Sequence, residues 1–323
     1  MPRRLKILLH GHCFDGAASA ALFGRFYAER IDDRAEIVYA GKAHARGPVY
    51  DDDDFDADDH AVVDFRYSAD ARLGWWFDHH LTAFQAPGDE SNFRARPADR
   101  FFFDPNARSC TKFLAQQLAR THGWDIARFG ELVHWADLID GAQFESPQQA
   151  VELAEPALQL STFVEHNHDE GLARRLIEGL VTRPLAALAA ETFVRATLEP
   201  VRRNNARAET ILRGRIRTAC GVAHLDVGDD GLWGYNKFLP YLLAPGAHYV
   251  VAVSASEQRV KISVGVNPWD LPTPAVNLAR LCERYGGGGH AVVGAVTLPA
   301  GSLPEARHIA GEIAETLRAH KKG

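Results

Sequence analysis

Cysteine is scarce in this sequence, and its few copies are far apart. The 323 residues include four cysteines, at positions 13, 110, 220 and 282, and none belongs to a Cys-x-x-Cys pair. A zinc ribbon needs such pairs, and a disulfide framework needs a denser set of cysteines. The sequence therefore argues against both classes and is typical of a protein from a reducing compartment.

Long apolar runs and an excess of positive charge are also missing. The chain has no run of about 18 apolar residues and no charged-then-apolar signal peptide, so we expect a soluble, cytoplasmic protein without a membrane partner. Lysine and arginine number 36 against 42 acidic residues, a formal net charge of -6. Proteins that bind long duplexes usually present a broad basic surface, which this balance does not favour. It leaves room for a small anionic substrate at a local positive site.

The order of apolar segments predicts an α/β fold with two domains. Strands alternate with helices in the first part of the chain, which is typical of a mainly parallel sheet flanked by helices. An Ala-, Arg- and Glu-rich stretch after Pro184 predicts one long connecting helix. Strand-like runs return after Gly214. We therefore expect a first domain over 1–184, a connecting helix over 185–211, and a smaller α/β domain over 212–323.

The individual elements follow from the same pattern. In the first domain we expect strands over 6–10, 36–40, 60–64 and 75–78, and helices starting at Gly16 and covering 110–122, 128–138 and most of 148–183. In the second we expect strands over 215–227, 248–255, 260–266 and 291–298, and helices over 275–285 and from Pro304 onward. The acidic run over 51–59 is expected to be a solvated loop because like charges repel, with a cation site as the alternative.

Metal-competent side chains follow several of the predicted strands. They are His10 and Asp15, then Asp64, then Asp78, His79 and His80, and finally Asp137. The carboxyl ends of parallel strands are the usual ligand position of an open α/β sheet. Imidazoles with several carboxylates suit a pair of Mn²⁺ or Mg²⁺ ions better than a thiolate-rich zinc site. Two such ions about 4 Å apart can share a carboxylate and activate a water for attack on a phosphate ester.

Simpler interpretations exist for some of these positions. The triplet after residue 77 alone could be a polar turn, and Asp140 could take the place of Asp137. Ser109 is most simply a helix N-cap, and Arg108 and Lys112 are most simply surface residues. Trp75 and Trp76 are expected in the core.

Taken together, the motifs resemble those of the DHH phosphoesterase superfamily, in the subfamily with a C-terminal DHHA1 domain. The defining triplet matches Asp78, His79 and His80, and the glycine-rich signature matches Gly287, Gly288, Gly289 and His290. The first motif, His-x4-Asp-Gly followed by small residues, is most similar to the branch of the nanoRNase B oligoribonucleases. The second motif falls on Asp64 and the fourth on Asp137. The ordered match covers residues 5–298.

The resemblance implies a role for each matched residue. Asp64 would bridge two cations, His10 would bind one of them, and Asp15, His79 and Asp137 would bind the other. Asp78 would orient a neighbouring ligand or hold the loop, and His80 would face the scissile phosphate as hydrogen-bond donor or general acid. The glycines at 287–289 and His290 would hold the far end of the substrate, because glycine lets backbone N–H groups approach phosphate oxygens.

The chain also departs from the family pattern. Many relatives have Asp-x-Asp in the first motif, where this chain has Cys13, Phe14 and Asp15, so one metal position would lack a carboxylate. His12 and Cys13 are possible substitutes, although a structural histidine is the simpler interpretation of His12. The second domain often shows Ser-Leu-Arg-Ser, whereas residues 262–267 here read Ile-Ser-Val-Gly-Val-Asn, without a basic residue. Lys237 is a candidate basic contact in that domain.

The resemblance implies a Mn²⁺-dependent phosphodiesterase, an exonuclease-like hydrolase with two metal sites that also accept Mg²⁺. Its substrate would be a short single-stranded oligonucleotide, cleaved to mononucleotides, with a homodimer as one possible assembly. Within enzymes, the alternatives are a phosphatase for nucleotides of the 3′-phosphoadenosine 5′-phosphate type and a cyclic-dinucleotide phosphodiesterase. The alternative of another class is a nucleotide-binding protein that has lost turnover, since the first-motif aspartate is missing.

Overall fold

The computed structural model describes residues 2–43, 47–270 and 276–320. The chain divides into two compact units, one made of Met1–Phe144 with Ala154–Leu198 and the other of Glu145–Leu153 with Glu199–Gly323. Each unit has a sheet and a buried apolar core of its own. Two separate cores agree with the predicted α/β architecture.

The described part of the first unit contains a five-stranded, fully parallel sheet. The strands are β1 (Arg4–His10), β2 (Glu36–Lys42), β3 (Asp59–Val63), β4 (Trp75–Asp78) and β5 (Phe101–Phe103). Their order across the sheet is β2-β1-β3-β4-β5, and each neighbouring pair is parallel. The four predicted strands are confirmed. Sequence reasoning missed β5, because three phenylalanines are too short a segment for its periodicity to show.

Helices precede and follow these strands. In chain order they are α1 (Phe14–Arg30), α2 (Asp89–Arg94), α3 (Cys110–His122), α4 (Gly130–Asp140), α5 (Pro147–Glu152), α6 (Pro156–His166), α7 (Glu170–Leu180), α8 (Leu185–Ala189) and α9 (Thr192–Arg215). Helix α1 is rich in alanine and is buried along most of its length, which lets it pack closely on the sheet. Helix α3 has the predicted bounds, and Ser109 is its N-cap.

The two tryptophans of β4 belong to opposite faces of the first sheet. Trp75 packs with Phe23 and Phe26 of α1, whereas Trp76 packs with Tyr67 and Phe93. Both indoles are at most 1 % exposed, so the prediction of core positions is confirmed. Apolar packing on both faces explains why the strands are continuous apolar runs, as expected for a parallel sheet.

Residues 185–211 differ from the predicted single helix. They belong to two helices, α8 and α9, separated at Ala190 and Glu191. The break coincides with ion pairs from the Glu191 carboxylate to Arg175 (2.8 Å) and Arg183 (2.7 Å). Composition predicts helix throughout these residues. It cannot show that Glu191 forms ion pairs with side chains from earlier in the chain at the point where the helix is interrupted. The division between the two units falls within α9, next to Pro200.

A mixed six-stranded sheet forms the second unit, in its described part. Its strands are β6 (Arg217–Ala219), β7 (Val222–Asp226), β8 (Tyr249–Ala255), β9 (Arg259–Val266), β10 (Gly288–His290) and β11 (Val293–Pro299), in the order β10-β11-β9-β8-β7-β6. Helices α10 (Leu239–Leu243), α11 (Leu278–Glu283) and α12 (Leu303–His320) follow the same chain order. The start of the predicted 275–285 helix, residue 275, lies outside the described residues.

The strand predicted over 215–227 is in fact a hairpin of β6 and β7. Its turn residues Cys220 and Gly221 have φ values of 48° and 73°. Positive φ at both central residues is the geometry of a two-residue type I′ turn, whose twist matches that of the paired strands. Cysteine is an unusual first residue for that turn, so Cys220 and Gly221 do not form one of the residue pairs by which a hairpin is usually recognised.

The glycine run belongs to a pair of strands. Gly288 and Gly289 belong to β10, which pairs antiparallel with β11. A Cβ at Gly289 would lie 2.2 Å from the Val293 carbonyl oxygen, and the residue has a φ of 148°. Glycine is therefore required here by the close approach of two strands.

The acidic run is more ordered than a solvated loop. Asp52–Phe55 form a 3-10 helix that the Asp51 side chain caps, and Asp54 is buried against Lys42, with 2.7 Å between its carboxylate and Nζ. Paired lysines offset the like-charge repulsion from which the loop was predicted.

Among the helices of the described ranges, none combines the length and the apolar character needed to cross a bilayer.

Candidate metal centre

Three neighbouring strands of the first sheet end in polar residues. His10 is the last residue of β1, Asp64 follows β3, and Asp78 is the last residue of β4. Because β1, β3 and β4 are adjacent and parallel, their carboxyl ends place these side chains side by side. The clustering predicted from the strand ends is therefore present.

Asp64 lies at the middle of this cluster. It is 1 % exposed, and neither of its carboxylate oxygens accepts a hydrogen bond from any described residue. The nearest nitrogens are His79 Nε2 at 3.4 Å, His10 Nδ1 at 3.5 Å and His80 Nδ1 at 3.9 Å. Burial raises the pKa of Asp64, but the neighbouring His10 and His79 outweigh it and hold that pKa below its usual value. A buried carboxylate in this setting is what a bound cation would satisfy.

Asp15 is held by the start of a helix. Its two carboxylate oxygens accept hydrogen bonds from the backbone N–H groups of Cys110 (2.6 Å) and Thr111 (3.0 Å), in the first turn of α3. One oxygen is also 3.9 Å from His79 Nε2. Burial and the charge of Asp64 raise the pKa of Asp15 well above its ordinary value. The helix therefore fixes the direction in which this carboxylate faces the cluster.

The triplet has an internal hydrogen-bond network. Asp78 is fully buried, and its Oδ1 accepts hydrogen bonds from the backbone N–H groups of His79 (2.8 Å) and His80 (3.3 Å) and lies 2.7 Å from His80 Nδ1. Burial lowers the pKa of His80, and the Asp78 carboxylate more than offsets this, so the net shift is upward. Asp78 thus ties the turn together and orients His80.

The Nε2 edge of the His79 ring faces the carboxylates. Its Nδ1 lies 2.9 Å from the Ala107 carbonyl oxygen, which leaves Nε2 directed at Asp64, Asp15 and Asp140. Burial lowers the pKa of His79, but Asp64, the Ala107 carbonyl and Asp15 raise it to about 10. An imidazole held through Nδ1 by a carbonyl is the usual orientation of a metal-binding histidine.

Asp140, and not Asp137, belongs to the cluster. The Asp137 carboxylate forms ion pairs with Lys112 Nζ at 2.8 Å and Arg108 Nη1 at 3.2 Å. These two basic side chains, predicted as surface residues, neutralise its charge. The Asp140 carboxylate, at the end of α4, lies 3.6 Å from His79 Nε2. Burial and the charge of Asp64 raise the pKa of Asp140 to about 6. On geometry, Asp140 and not Asp137 lies with His79 and Asp15.

Cys13 takes the place that the first motif leaves without an aspartate. Its Sγ and one ligand atom each of His10 and Asp64 lie within 4.8 Å of one another. Burial, followed by the charge of Asp64, raises the pKa of the thiol well above its usual value. His12 has a φ of 58°, and its ring lies 5.1 Å from that of His168, beside a cavity of about 410 Å³. Of the two possible substitutes, Cys13 is the one that joins the cluster.

The described residues thus offer three overlapping groups of metal-competent atoms. They are His10 with Cys13 and Asp64, Asp64 with His79 and His80, and Asp15 with His79 and Asp140. Asp64 and His79 are shared between groups, which is the arrangement that two neighbouring cations require. The donor set of carboxylates and imidazoles fits Mn²⁺ or Mg²⁺, with one thiol as the exception.

The other predicted substrate residues lie in the second unit. Gly287 precedes β10, which contains Gly288, Gly289 and His290. Asn267, at the end of the segment 262–267, is buried, and its side chain donates to the Ala247 carbonyl oxygen (2.9 Å) and accepts from the Trp269 N–H (3.0 Å). Its role there is structural. Lys237 Nζ lies 5.2 Å from the centre of the Phe238 ring, a cation–π contact.

No protein-family model and no curated protein sequence matches the chain. Among solved structures, it is similar to the pGpG-specific phosphodiesterase PggH from Vibrio cholerae, with a TM-score of 0.71 and 17% identity over 98% of this chain and 99% of that one. An exopolyphosphatase-related protein from Bacteroides fragilis has a TM-score of 0.52 and 13% identity, over 99% and 94%. RecJ from Thermus thermophilus with Mg²⁺ has a TM-score of 0.53 and 14% identity, over 97% of this chain and 50% of RecJ. The chain therefore has the fold of these proteins, and the predicted two-domain α/β architecture is confirmed.

Proposed function

We propose that this protein is a metal-dependent phosphodiesterase that cleaves short oligonucleotides such as pGpG to mononucleotides. The observation that carries the proposal is the carboxylate of Asp64, which is buried, makes no hydrogen bond to a described residue and lies among three overlapping ligand groups. Removing such a group from water is costly unless a positive charge compensates it. A pair of divalent cations supplies that charge.

The proteins of similar fold support the reaction class. PggH is named as a pGpG-specific phosphodiesterase, and RecJ, named as an exonuclease, has been solved with manganese. Both names concern phosphodiester cleavage, and Mn²⁺ is the cation that we propose for this chain. The net charge of -6 agrees with a short substrate bound at a local site better than with a long duplex.

Each residue of the cluster has a proposed task. Asp64 would bridge the two cations, His10 and Cys13 would complete one position, and Asp15, His79 and Asp140 would complete the other. When bound, the pair of cations would lower the pKa of a shared water and neutralise charge on the phosphate. Asp137 would act from outside this set, by holding Arg108 and Lys112 beside it.

His80 is proposed to contact the scissile phosphate. The Asp78 carboxylate at 2.7 Å fixes the ring and favours its protonated form. A protonated imidazole can donate a hydrogen bond to a phosphate oxygen or a proton to the leaving group. Gly287, Gly288, Gly289 and His290 remain the proposed contacts for the far end of the substrate.

The proposal is tested by incubating purified protein and Mn²⁺ with a panel of phosphate esters. The panel contains pGpG, other dinucleotides, longer RNA, cyclic dinucleotides, 3′-phosphoadenosine 5′-phosphate and pyrophosphate. We expect mononucleotides from the linear dinucleotides, and no product after removal of the metal by a chelator. Preferential cleavage of another member would assign the corresponding alternative activity, and binding without any product would support a nucleotide-binding protein.

A substitution at Asp64, with a matched control at an exposed aspartate, tests the proposed bridging role. Asp64→Asn keeps the size of the side chain but removes its charge, so we expect activity to fall by on the order of 1000-fold. Asp33→Asn, at an exposed position between α1 and β2 and outside the ligand groups, should leave activity unchanged. A variant of Asp64 that keeps more than about a tenth of the wild-type rate would contradict the bridging role.

A further inference from the structure

We propose that the Cys13 thiolate is a ligand of the cation bound with His10 and Asp64, and that it makes this position selective for thiophilic cations such as Co²⁺ and Zn²⁺ over Mg²⁺. The inference rests on the proposed two-cation centre and adds the chemical preference of one of its positions. A centre made only of carboxylates and imidazoles would not distinguish these ions in the same way.

The backbone places the thiol where a ligand is needed. Cys13 is the N-cap of α1, with an extended backbone (φ -121°, ψ 132°), and its side chain does not cap the helix. Its carbonyl oxygen accepts the N–H of Ala17 at 3.1 Å, which joins the residue to the first turn. The Sγ atom is therefore held at the end of β1, within 4.8 Å of the ligand atoms of His10 and Asp64.

A second, independent feature indicates a place for a cation beside Cys13. Asp64 is 1 % exposed, and both of its oxygens make no hydrogen bond to the described residues. The same is true of His79 Nε2, on the other side of Asp64. A divalent ion bound between this thiol and the carboxylate would stabilise the charged form of both groups. The thiol would therefore lose its proton when the ion binds.

Cys110 is a neighbouring thiol with a different environment. It is fully buried, and its Sγ donates a hydrogen bond to the Phe77 carbonyl oxygen at 3.4 Å. It does not belong to any of the three ligand groups among the described residues. Cys220, in the second unit, is exposed. The chain therefore contains two natural control cysteines, one buried near the centre and one remote.

Binding through Cys13 has a defined chemical balance. The S–H proton leaves to the solvent, and the sulfur lone pair forms the bond to the cation, so no oxidant or reductant takes part. A thiolate is a softer donor than a carboxylate, and it binds Co²⁺ or Zn²⁺ much better than Mg²⁺. The departure of the first motif from Asp-x-Asp would thus change the metal preference and not simply weaken the site.

Titration with Co²⁺ tests this inference directly, because a thiolate bound to Co²⁺ gives a near-ultraviolet charge-transfer band. We expect the band in the wild type, in Cys110→Ser and in Cys220→Ser, and its loss in Cys13→Ser. Calorimetry on the same samples counts the bound ions. Co²⁺ binding to the wild type without the band, or a band that persists in Cys13→Ser, would overturn the inference, as would the absence of any Co²⁺ binding.

The metal preference gives a second readout. Cys13→Asp should raise the affinity for Mg²⁺ by about tenfold or more and lower the affinity for Zn²⁺, because a hard donor replaces a soft one. Equal affinities in the two proteins would count against the thiolate ligand. Hydrolysis of pGpG, measured separately, distinguishes the two ideas: the band without hydrolysis refutes the proposed function alone, and hydrolysis without the band refutes the thiolate ligand alone.

Discussion

Asp64 combines burial, unsatisfied oxygens and a left-handed backbone conformation. Its φ is 55°, in the left-handed region that few residues other than glycine adopt and that asparagine, aspartate and histidine adopt most often among them. Its N–H donates to the Phe77 carbonyl oxygen at 2.9 Å. This hydrogen bond between the ends of β3 and β4 holds the turn. Backbone strain of this kind is found at functional sites, where the surrounding structure over-determines it. Here it directs the carboxylate to the middle of the cluster.

Residue spacing predicted most of this cluster but not the choice between Asp137 and Asp140. Residues three apart on a helix are neighbours on its surface, so both carboxylates of α4 were compatible with the motif. The choice depends on Arg108 and Lys112, which come from another part of the chain and neutralise Asp137. A pairing over that sequence distance leaves no local signal, and the same holds for the place of Cys13.

The two aspartates of α4 should therefore behave differently when substituted. Asp140→Asn removes a carboxylate that faces His79, and we expect hydrolysis of pGpG to fall by on the order of 100-fold with weaker Mn²⁺ binding. Asp137→Asn removes the partner of Arg108 and Lys112, and we expect an effect within about tenfold and unchanged Mn²⁺ affinity. Calorimetric titration with Mn²⁺ and steady-state kinetics measure both quantities. The opposite order of effects would restore Asp137 as the metal ligand.

Elements with strong periodicity were predicted well, and elements defined by tertiary contacts were not. The bounds of α3 follow from its Ser109 cap and amphipathic pattern. In contrast, the glycine hairpin of β10 and β11 depends on pairing between two short strands, one of which has almost no side chains. Glycine predicts freedom of the backbone, but it does not say whether a loop or a close strand pair uses that freedom.

Substitutions at two adjacent glycines should distinguish the structural role of this hairpin from its proposed role in substrate binding. Gly289→Ala would place a Cβ 2.2 Å from the Val293 carbonyl oxygen at a φ of 148°, so we expect a loss of about 1–3 kcal/mol in the free energy of unfolding. A Cβ at Gly288 meets nothing within 4 Å. Gly288→Val should therefore change stability by less than about 1 kcal/mol and raise KM for pGpG, if its backbone approaches a phosphate.

Chemical denaturation and steady-state kinetics check this pair of variants. p-Nitrophenyl phosphate serves as a minimal ester that lacks the far end of the proposed substrate. Equal losses of Gly288→Val on pGpG and on the minimal ester would show that the hairpin supports the fold or the metal centre instead.

At the scale of the whole molecule, each unit has its own core, and the cluster of possible metal ligands around Asp64 belongs to the first unit alone. The sequence could show that two α/β cores were present, because each has its own succession of strands and helices. It could not show that residues 145–153 belong with the second unit, since this short helical stretch lies between helices of the first. Asn236 helps to attach it, by donating to the Ala150 carbonyl oxygen at 2.9 Å.

Protons and cations should compete for this cluster, and the competition sets the pH dependence of stability. Without metal, the pKa of His79 is raised from 6.5 to about 10, so its stabilising contribution is complete below pH 6.5 and is lost as pH rises through 10. The pKa of Asp140 is raised from 3.8 to about 6, so its contribution is complete below pH 3.8 and is lost as pH rises through 6. Both groups must lose a proton to bind a cation, so Mn²⁺ affinity should increase with pH.

The increase in melting temperature caused by a fixed Mn²⁺ concentration should therefore be small at pH 6 and larger at pH 9. At a free concentration of about 100 times Kd, one bound ion stabilises the folded state by about 2.7 kcal/mol, and a tenfold loss of affinity lowers this to about 1.4 kcal/mol. Calorimetry in buffers of different ionisation enthalpy should also show release of about one proton from His79 near neutral pH. His79→Gln should abolish that release and flatten the pH dependence, whereas Asp33→Asn should change neither. An Mn²⁺-induced shift of the same size at both pH values in the wild type would show that the cation does not replace these protons, and would place metal binding outside the cluster around Asp64.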